Sequence, residues 1–323
     1  MLSRVAENLY WISRYVERAE NVARLLDVGF HLELDAAAHA AAPQPDSDQD
    51  LRPIESVMTI LACRPAYEQF RGPAPADRES VLRFLTFDHA HEHSIIAMIG
   101  RARENARGSQ EALSGEAWSQ LNKLHLHLHS PRAQRHFNSS PPRFYESIKH
   151  ACILFSGLVE TTLPRTEAYH FLQLGRYLER SNQIARLLAV RLPVLGGDEP
   201  PVDLVHWSSL LQTCSASEAY LREFDEKIEP EGVVRYLVLD PDFPRSIRFC
   251  VSRCCESLRA IAGNTETSDL LSEAERRLGR LDSDLRFLDI SEIFGQGLAT
   301  FLYNVQQSCT AIGSEIHHAY FFS

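Results

Sequence analysis

A fifteen-residue run beginning at Arg14, RYVERAENVARLLDV, returns at Arg176 as RYLERSNQIARLLAV, with nine of the fifteen positions identical. Repetition at this length limits the fold more than composition does, because two copies of one unit fold alike and must bury matching faces. Farther along, Arg83, Phe84, Leu85 and Asp88 match Arg235, Tyr236, Leu237 and Asp240. Ser94 and Ile95 then match Ser246 and Ile247, and Glu104 and Arg107 match Glu256 and Arg259. The common order predicts a single all-α domain over residues 1–323, made of repeat 1 (1–163) and repeat 2 (164–323). Each repeat reads as a five-helix unit, a long opening helix followed by helices near 52–68, 94–113, 116–129 and 142–163, or near 203–222, 245–262, 269–288 and 291–318, about ten in all. Composition shifts mark links from Asp35 to Asp50, Gly72 to Pro75, Ser130 to Pro142 and Pro193 to Pro201.

Composition agrees with a helical bundle. Leu, Ala and Arg are the commonest residues and Glu is abundant, and such side chains lose little rotamer freedom in a helix. With 323 residues and 44% hydrophobic content the chain can bury a substantial core. A net charge of -10 argues against nucleic acid as a partner, since phosphate backbones are held by Lys and Arg. The sequence holds no bilayer-length apolar run, and Glu7 and Arg14 interrupt any signal-peptide core, so the expectation is a cytoplasmic protein without a membrane anchor. Seven cysteines without a C-x-x-C pair suit neither a disulfide framework nor a zinc knuckle and read as small buried hydrophobes.

The opening helix carries three stripes. Val5, Leu9, Ile12, Val16, Ala19, Ala23, Leu26 and Phe30 recur at spacings of four and three, the seam of a bundle helix. Beside it runs a polar stripe of Glu7, Tyr10, Arg14, Glu17, Asn21 and Arg24, matched by Arg176, Glu179, Gln183 and Arg186. On the other flank Arg18 interrupts Trp11, Tyr15, Val22 and Leu25, as Arg180 interrupts Tyr177, Ile184 and Leu187. Both arginines are therefore expected to be partly buried, with carboxylate partners sought among Asp88, Glu104, Asp240 and Glu256. Two readings of the polar face stand open: an Arg–Glu network that fixes helix register, or an Arg-rich pocket for a carboxylate or phosphoryl group.

These residues carry a resemblance to the bacterial alpha-E family, over nearly the whole chain. It rests on LSRVAENLYWISRYVERAEN at Leu2–Asn21, ARENAR at Ala102–Arg107, Glu116 to Trp118 with Leu121 and Asn122, and LGRYLER at Leu174–Arg180. The resemblance implies association with circularly permuted ATP-grasp amide ligases, with transglutaminase-like or proteasome-like peptidases in the same pathway. ATP and Mg would then be bound by the partner ligase, and the chain would have no cofactor or metal of its own. Carried over by motif, the positions of interest are Arg14, Glu17, Arg18, Asn21 and Arg24; Arg103, Glu104, Asn105, Arg107, Trp118 and Asn122; and Arg176, Tyr177, Glu179, Arg180 and Arg186. Where the first copy has Ala19, Glu20 and Asn21, the second has Ser181, Asn182 and Gln183, so a site there differs in charge. The link HAHEH at His89–His93 departs from a Pro-containing form that the second copy keeps around Pro244.

Function is read accordingly as an accessory or co-catalytic component of a peptide or amide ligase system. The first alternative is a stand-alone transferase or hydrolase acting on amino-acid amides or peptides, with Glu17 or Glu104 as general base beside Arg14 and Arg107. The second is a metal-binding carboxylate bundle built on the Glu-x-x-His pairs Glu167/His170 and Glu315/His318, which would need two further glutamates. The runs His89, His91, His93 and His125, His127, His129 read as a solvated flank, only the outer pair of each sharing a helix face. There is no Gly-rich phosphate loop or nucleophile elbow in the sequence.

Overall fold

A computed structural model describes residues 1–39, 53–71, 77–190, 204–224, 227–263 and 272–322. Among them the chain is all-α, with sixteen α-helices, one short 3-10 turn and no strand. The helices are α1 (Ser3–His39), α2 (Pro53–Ile60), α3 (Arg64–Arg71), α4 (Arg78–Phe87), α5 (Ile95–Arg107), α6 (Gly115–Leu128), α7 (Pro131–Ser139) and α8 (Pro141–Thr162), then α9 (Glu167–Val190), α10 (Leu204–Thr213), α11 (Ser217–Glu223), α12 (Pro230–Leu239), α13 (Ile247–Ala262), α14 (Glu273–Phe287), α15 (Ile290–Gln296) and α16 (Leu298–Tyr320). None of the described helices is long and apolar enough to cross a membrane.

The fold class is the one expected, with more helices because three expected segments break and because α4, α7 and α12 form where links were expected. The segment 52–68 breaks after Ala62 and 203–222 breaks at Ser215, each with φ +51°, and Gly297 at φ +89° separates α15 from α16. The Ser130-to-Pro142 link is itself helical. Ser130 caps α7 and Pro131 opens it, while Pro141 opens α8, because proline's fixed φ and missing N–H suit a first turn. Residues 40–50 and the links Gly72–Pro75 and Pro193–Pro201 lie outside the described residues.

α1 and α9 form the central pair and pack on each other more extensively than any other two helices. α1 is further covered by α5 and α8, and α9 by α13 and α16; α6 bridges α5 and α8 as α14 bridges α13 and α16. The apolar seam lies where its spacing put it: Leu9, Ile12, Val16, Ala19, Ala23 and Leu26 are buried, with Val5 and Phe30 partly so. The polar stripe does not face solvent. Tyr10, Glu17 and Asn21 are buried as well, because α1 has neighbours on nearly every side.

Two matched corners lead into α5 and α13. The Asp88 carboxylate accepts from the Ala90 amide at 2.9 Å, and the Ser94 hydroxyl caps α5 while donating to the Asp88 carbonyl. Asp240 accepts from the Asp242 amide at 2.8 Å, and Ser246 caps α13 while donating to the Asp240 carbonyl. Asp88 and Asp240 thus recur because they build turns. They are not the partners of Arg18 and Arg180.

All seven cysteines are free and buried. Burial pushes the Cys250 thiol up to about 12 and Cys63 to about 11, which keeps both in the unreactive protonated form.

α1 and α9 touch backbone to backbone at Gly175, where a Cβ would stand 2.2 Å from the Tyr10 carbonyl oxygen. Gly175→Ala is therefore expected to lower stability by about 1–3 kcal/mol or more through forced separation of the two helices. Gly157 on α8 meets nothing within 4 Å, so Gly157→Ala should instead gain about 0.5–1 kcal/mol. Urea melts of both variants check the pair; equal midpoints would refute the close approach as a constraint.

Candidate functional site

The signature arginines find their carboxylates on the opposite central helix. Arg18 of α1 makes a two-pronged contact to Glu179 of α9, Nε to Oε1 at 2.7 Å and Nη2 to Oε2 at 2.8 Å. Arg180 of α9 does the same to Glu17 of α1, at 2.6 and 2.8 Å. Arg14 adds a third prong to Glu179, Nε to Oε2 at 2.8 Å, while Arg176 approaches Glu17 at 3.8 Å. The expected partners Glu104 and Glu256 instead form surface pairs with Arg107 and Arg103, and with Arg253, respectively. Burial of Arg18 and Arg180 was deducible from one helix, but the identity of the facing helix was not.

Both carboxylates are 2% exposed, and burial alone would raise their pKa. The guanidinium charges of Arg180 and Arg245, with the Arg180 hydrogen bonds, override burial and lower Glu17 to about 2. Arg14 and Arg18 pull Glu179 well below the ordinary carboxylate range. A carboxylate so strongly held in its charged form is a poor proton acceptor near neutrality, which is unfavourable for Glu17 as a general base. Glu104 is half-exposed, and hydrogen bonds from Arg103 and Arg107 lower its pKa too.

The two ends of this cross-brace differ. At the Glu17 end, Arg180 also donates to the Pro244 carbonyl at 3.1 Å, and its side chain is only 4% exposed. Glu20 is buried there between Arg24, whose Nη2 donates at 2.7 Å, and Arg245, whose Nη2 donates at 2.5 Å. Arg24 also reaches the Ser215 hydroxyl. Burial and the Arg180 charge lower the Arg245 pKa, opposed by Glu20 and Glu17. At the Glu179 end, Arg18 keeps 23% exposure and borders a cavity of about 110 Å³. Asn21, His93, Asn182, Gln183 and Arg186 share its lining. Gln183 donates to Glu179 Oε1 at 3.0 Å, and Arg186 has no ion-pair partner among the described residues. A second cavity of about 300 Å³ lies beside Tyr10, Trp11 and Arg14, and Asn182 borders both.

The remaining expected positions separate from the brace. Arg103 donates to Asn122 at 3.2 Å and lies over the Trp118 ring at 5.7 Å, on the surface of α5 and α6 together with Glu104, Asn105 and Arg107. Among the described residues, no hydrogen bond or ion pair joins that patch to the brace. Tyr177 packs edge-on against Phe249 beneath Arg176 and Arg180.

The histidines are not one solvated flank. His91 is buried and stacks on Phe84 at 4.3 Å, His93 lines the Glu179-end cavity, and His125 and His129 share a face with rings 4.2 Å apart. Glu167 and His170 open α9 while Glu315 pairs with Arg277 near the end of α16. Among the described residues no group of three or more His, Cys, Asp or Glu is placed to hold a metal ion, so the two further ligands required by a carboxylate bundle are not assembled.

Sequence reading passed over Glu20, His93, Asn182, Gln183 and Arg245 as site residues. The exchange of Glu20 for Asn182 was the available signal. Arg245 had none, being brought to α1 by the fold.

Glu17→Gln is expected to cost on the order of 3–5 kcal/mol at pH 7, because Arg180 would stay buried without its counter-charge. In the parent, Glu17 has a folded pKa below its unfolded value of 4.5, so its contribution is complete above pH 4.5 and is lost as pH falls through about 2. Urea midpoints between pH 6 and 2.5 should therefore fall less steeply in Glu17→Gln than in the parent. Parallel curves at equal stability would remove Glu17 from the brace.

An uncharacterized protein of Mycobacterium bovis is 24% identical to this chain over 316 residues, which cover 91% of the chain and 34% of that protein. Uncharacterized proteins from two strains of Mycobacterium tuberculosis are 24% and 23% identical over the same shares. The chain thus spans about one third of the length of the curated relatives it matches. No solved structure matches it. The alpha-E family model, described as a predicted alpha-helical domain with a conserved ER motif, matches residues 1–321. Glu17–Arg18 and Glu179–Arg180, the two dipeptides that cross-link the central helices, are both such Glu-Arg pairs, and the chain belongs to the alpha-E family.

Proposed function

We propose that this chain is an accessory or co-catalytic component of an ATP-grasp-dependent peptide or amide ligase system, which docks the ligase and presents a carboxylate or peptide through its Arg/Glu-lined face. The observation that carries the substrate half of this reading is the cavity at Glu179. Arg18 is held rigid there by its two-pronged ion pair while Arg186 has no ion-pair partner among the described residues, with side-chain amides around them. A planar guanidinium fixed in place suits carboxylate recognition, since little side-chain entropy is lost on binding. The lowered pKa values of Glu17 and Glu104 favour a presenting role over proton transfer.

The ligase half comes from the family resemblance. In this reading a circularly permuted ATP-grasp protein holds ATP and Mg, the alpha-E chain contributes no cofactor, and a transglutaminase-like or proteasome-like peptidase acts in the same cytoplasmic pathway. Residues 1–323 act as one domain of two copies, 1–163 and 164–323. Two thirds of each curated relative lies outside the matched region, room for a further functional unit in the same polypeptide.

The test is co-purification with reconstitution. A tagged chain expressed with its candidate ATP-grasp partner should co-elute with it, and ATP-dependent amide formation by the ligase should fall when the chain is left out. Failure to retain the ligase, with product formation unchanged in its absence, would refute the proposal.

A further inference from the structure

Glu20 is a carboxylate inside a three-sided clamp. Arg24, one turn along α1, grips it through Nε and Nη2 at 3.0 and 2.7 Å; Arg245 closes the third side at 2.5 Å; and the side chain is 2% exposed. The offset that sets Arg14 against Arg176 puts Glu20 against Asn182 and Arg24 against Arg186. The offset that sets Ser94 against Ser246 puts His93 against Arg245. Each side of the clamp thus has a counterpart at the Glu179 end, Arg186 as a guanidinium and His93 as an imidazole whose pKa burial and the Arg18 charge lower, while the position of Glu20 holds an amide. Asn182, His93 and Arg186 all border the cavity of about 110 Å³, together with Arg18.

We infer that the protein has one ligand carboxylate site, at the Glu179 end, where the carboxylate of a peptide or free amino acid occupies the place that Glu20 fills at the Glu17 end. The inference deepens the substrate half of the proposed function and rests on it. Size agrees, since the cavity exceeds the roughly 30 Å³ share of a single water. Charge agrees as well. Glu179 is already shared by Arg14 and Arg18, and Arg186 lacks an anion among the described residues, so the cavity wall carries an excess of positive charge. Holding the partly buried Arg186 near Arg18 sets two guanidiniums beside one carboxylate, which makes a further carboxylate a favourable addition, while His93, paired with Glu92 at 3.5 Å on its outer side, offers a ring N–H donor. The amides of Asn21, Asn182 and Gln183 supply donors and acceptors for the adjoining peptide group, beyond what a bare anion uses. At the other end the protein's own Glu20 competes permanently for the equivalent clamp.

The experiment titrates the full chain with N-acetylglycine, and with N-acetylglycinamide as the uncharged control, followed by ¹H–¹⁵N NMR. The acid is expected to saturate one site per chain and the amide to leave the spectrum unmoved. Asn182→Glu should install the internal carboxylate one turn before Arg186 and weaken binding about tenfold or more without lowering the thermal midpoint. Glu20→Asn should free the second clamp and raise the stoichiometry from one to two; Asn182→Glu decides the matter if that variant does not fold. Equal binding of acid and amide, unchanged affinity in Asn182→Glu, two sites in the parent, or competition by inorganic phosphate at equal affinity would each overturn the inference. These readouts need no ligase. Ligase co-elution without carboxylate binding would therefore remove only this inference, and binding without co-elution would remove only the ligase association.

Discussion

The structure depends on a reciprocal exchange of carboxylates between its two central helices. Glu17 leaves its own neighbour Arg18 and serves Arg180, while Glu179 leaves Arg180 and serves Arg18 and Arg14. Neighbouring residues on a helix point about 100° apart, so the two charges of each buried Glu-Arg dipeptide are turned toward different neighbours. Two such dipeptides on crossing helices can satisfy each other in one arrangement. The exchange therefore fixes both the rotation and the register of α1 against α9, and the contact of Gly175 with the Tyr10 backbone fixes their separation. Among the described residues α5, α8, α13 and α16 pack directly on this pair, and α6 and α14 pack on those in turn.

Buried ion pairs are expensive to desolvate, and an apolar pair of equal volume would often be as stable. What an apolar pair cannot supply is the penalty for a wrong register, since a slip of one residue would leave the buried Glu17, Glu179 and Arg180 and the partly buried Arg18 unpaired. The cross-brace is better explained by specificity of packing than by net stability. Its polar surplus then becomes useful, because it leaves a guanidinium beside the brace that neither Glu17 nor Glu179 consumes. Arg186 on α9 is in that position, one side of a cavity whose other cationic wall, Arg18, is immobilised.

Much of this was legible in the sequence, for reasons that can be assigned. The seam from Leu9 to Leu26 was readable because a 3.6-residue period reports directly on which face is buried. The inward turn of Arg18 and Arg180 was readable from their apolar flanks. Their partners were not, because periodicity describes one helix at a time and says nothing of which other helix lies opposite. Asp88 and Asp240 were misleading for a related reason. A repeated acidic residue reads equally as an ion-pair partner or as a turn builder, and only the Ser94 and Ser246 caps beside them decide for the turn. The first histidine triplet separated into a buried ring and a cavity ring because residues 89–93 form a folded corner, whose side-chain directions follow no single period, whereas His125 and His129 share a face as the period of α6 requires.

The difference between the two ends of the brace follows from two substitutions acting together. Asn182 in place of Glu20 removes a carboxylate, and His93 in place of Arg245 shortens the cation that would have reached it. Either change alone would leave a conflict: Glu20 facing His93 would have one guanidinium fewer, and Arg245 facing Asn182 would be a buried arginine with a carboxylate missing. Made together, they leave a smaller imidazole, its pKa lowered by burial and by Arg18, beside a cavity that the brace keeps open because the two-pronged pair with Glu179 holds Arg18 at its wall. The residues that hold the helices in register therefore also preserve the cavity. In this protein the Glu-Arg motif is architectural at its Glu17 end and, at its Glu179 end, forms the rigid wall of a cavity that the described residues leave open.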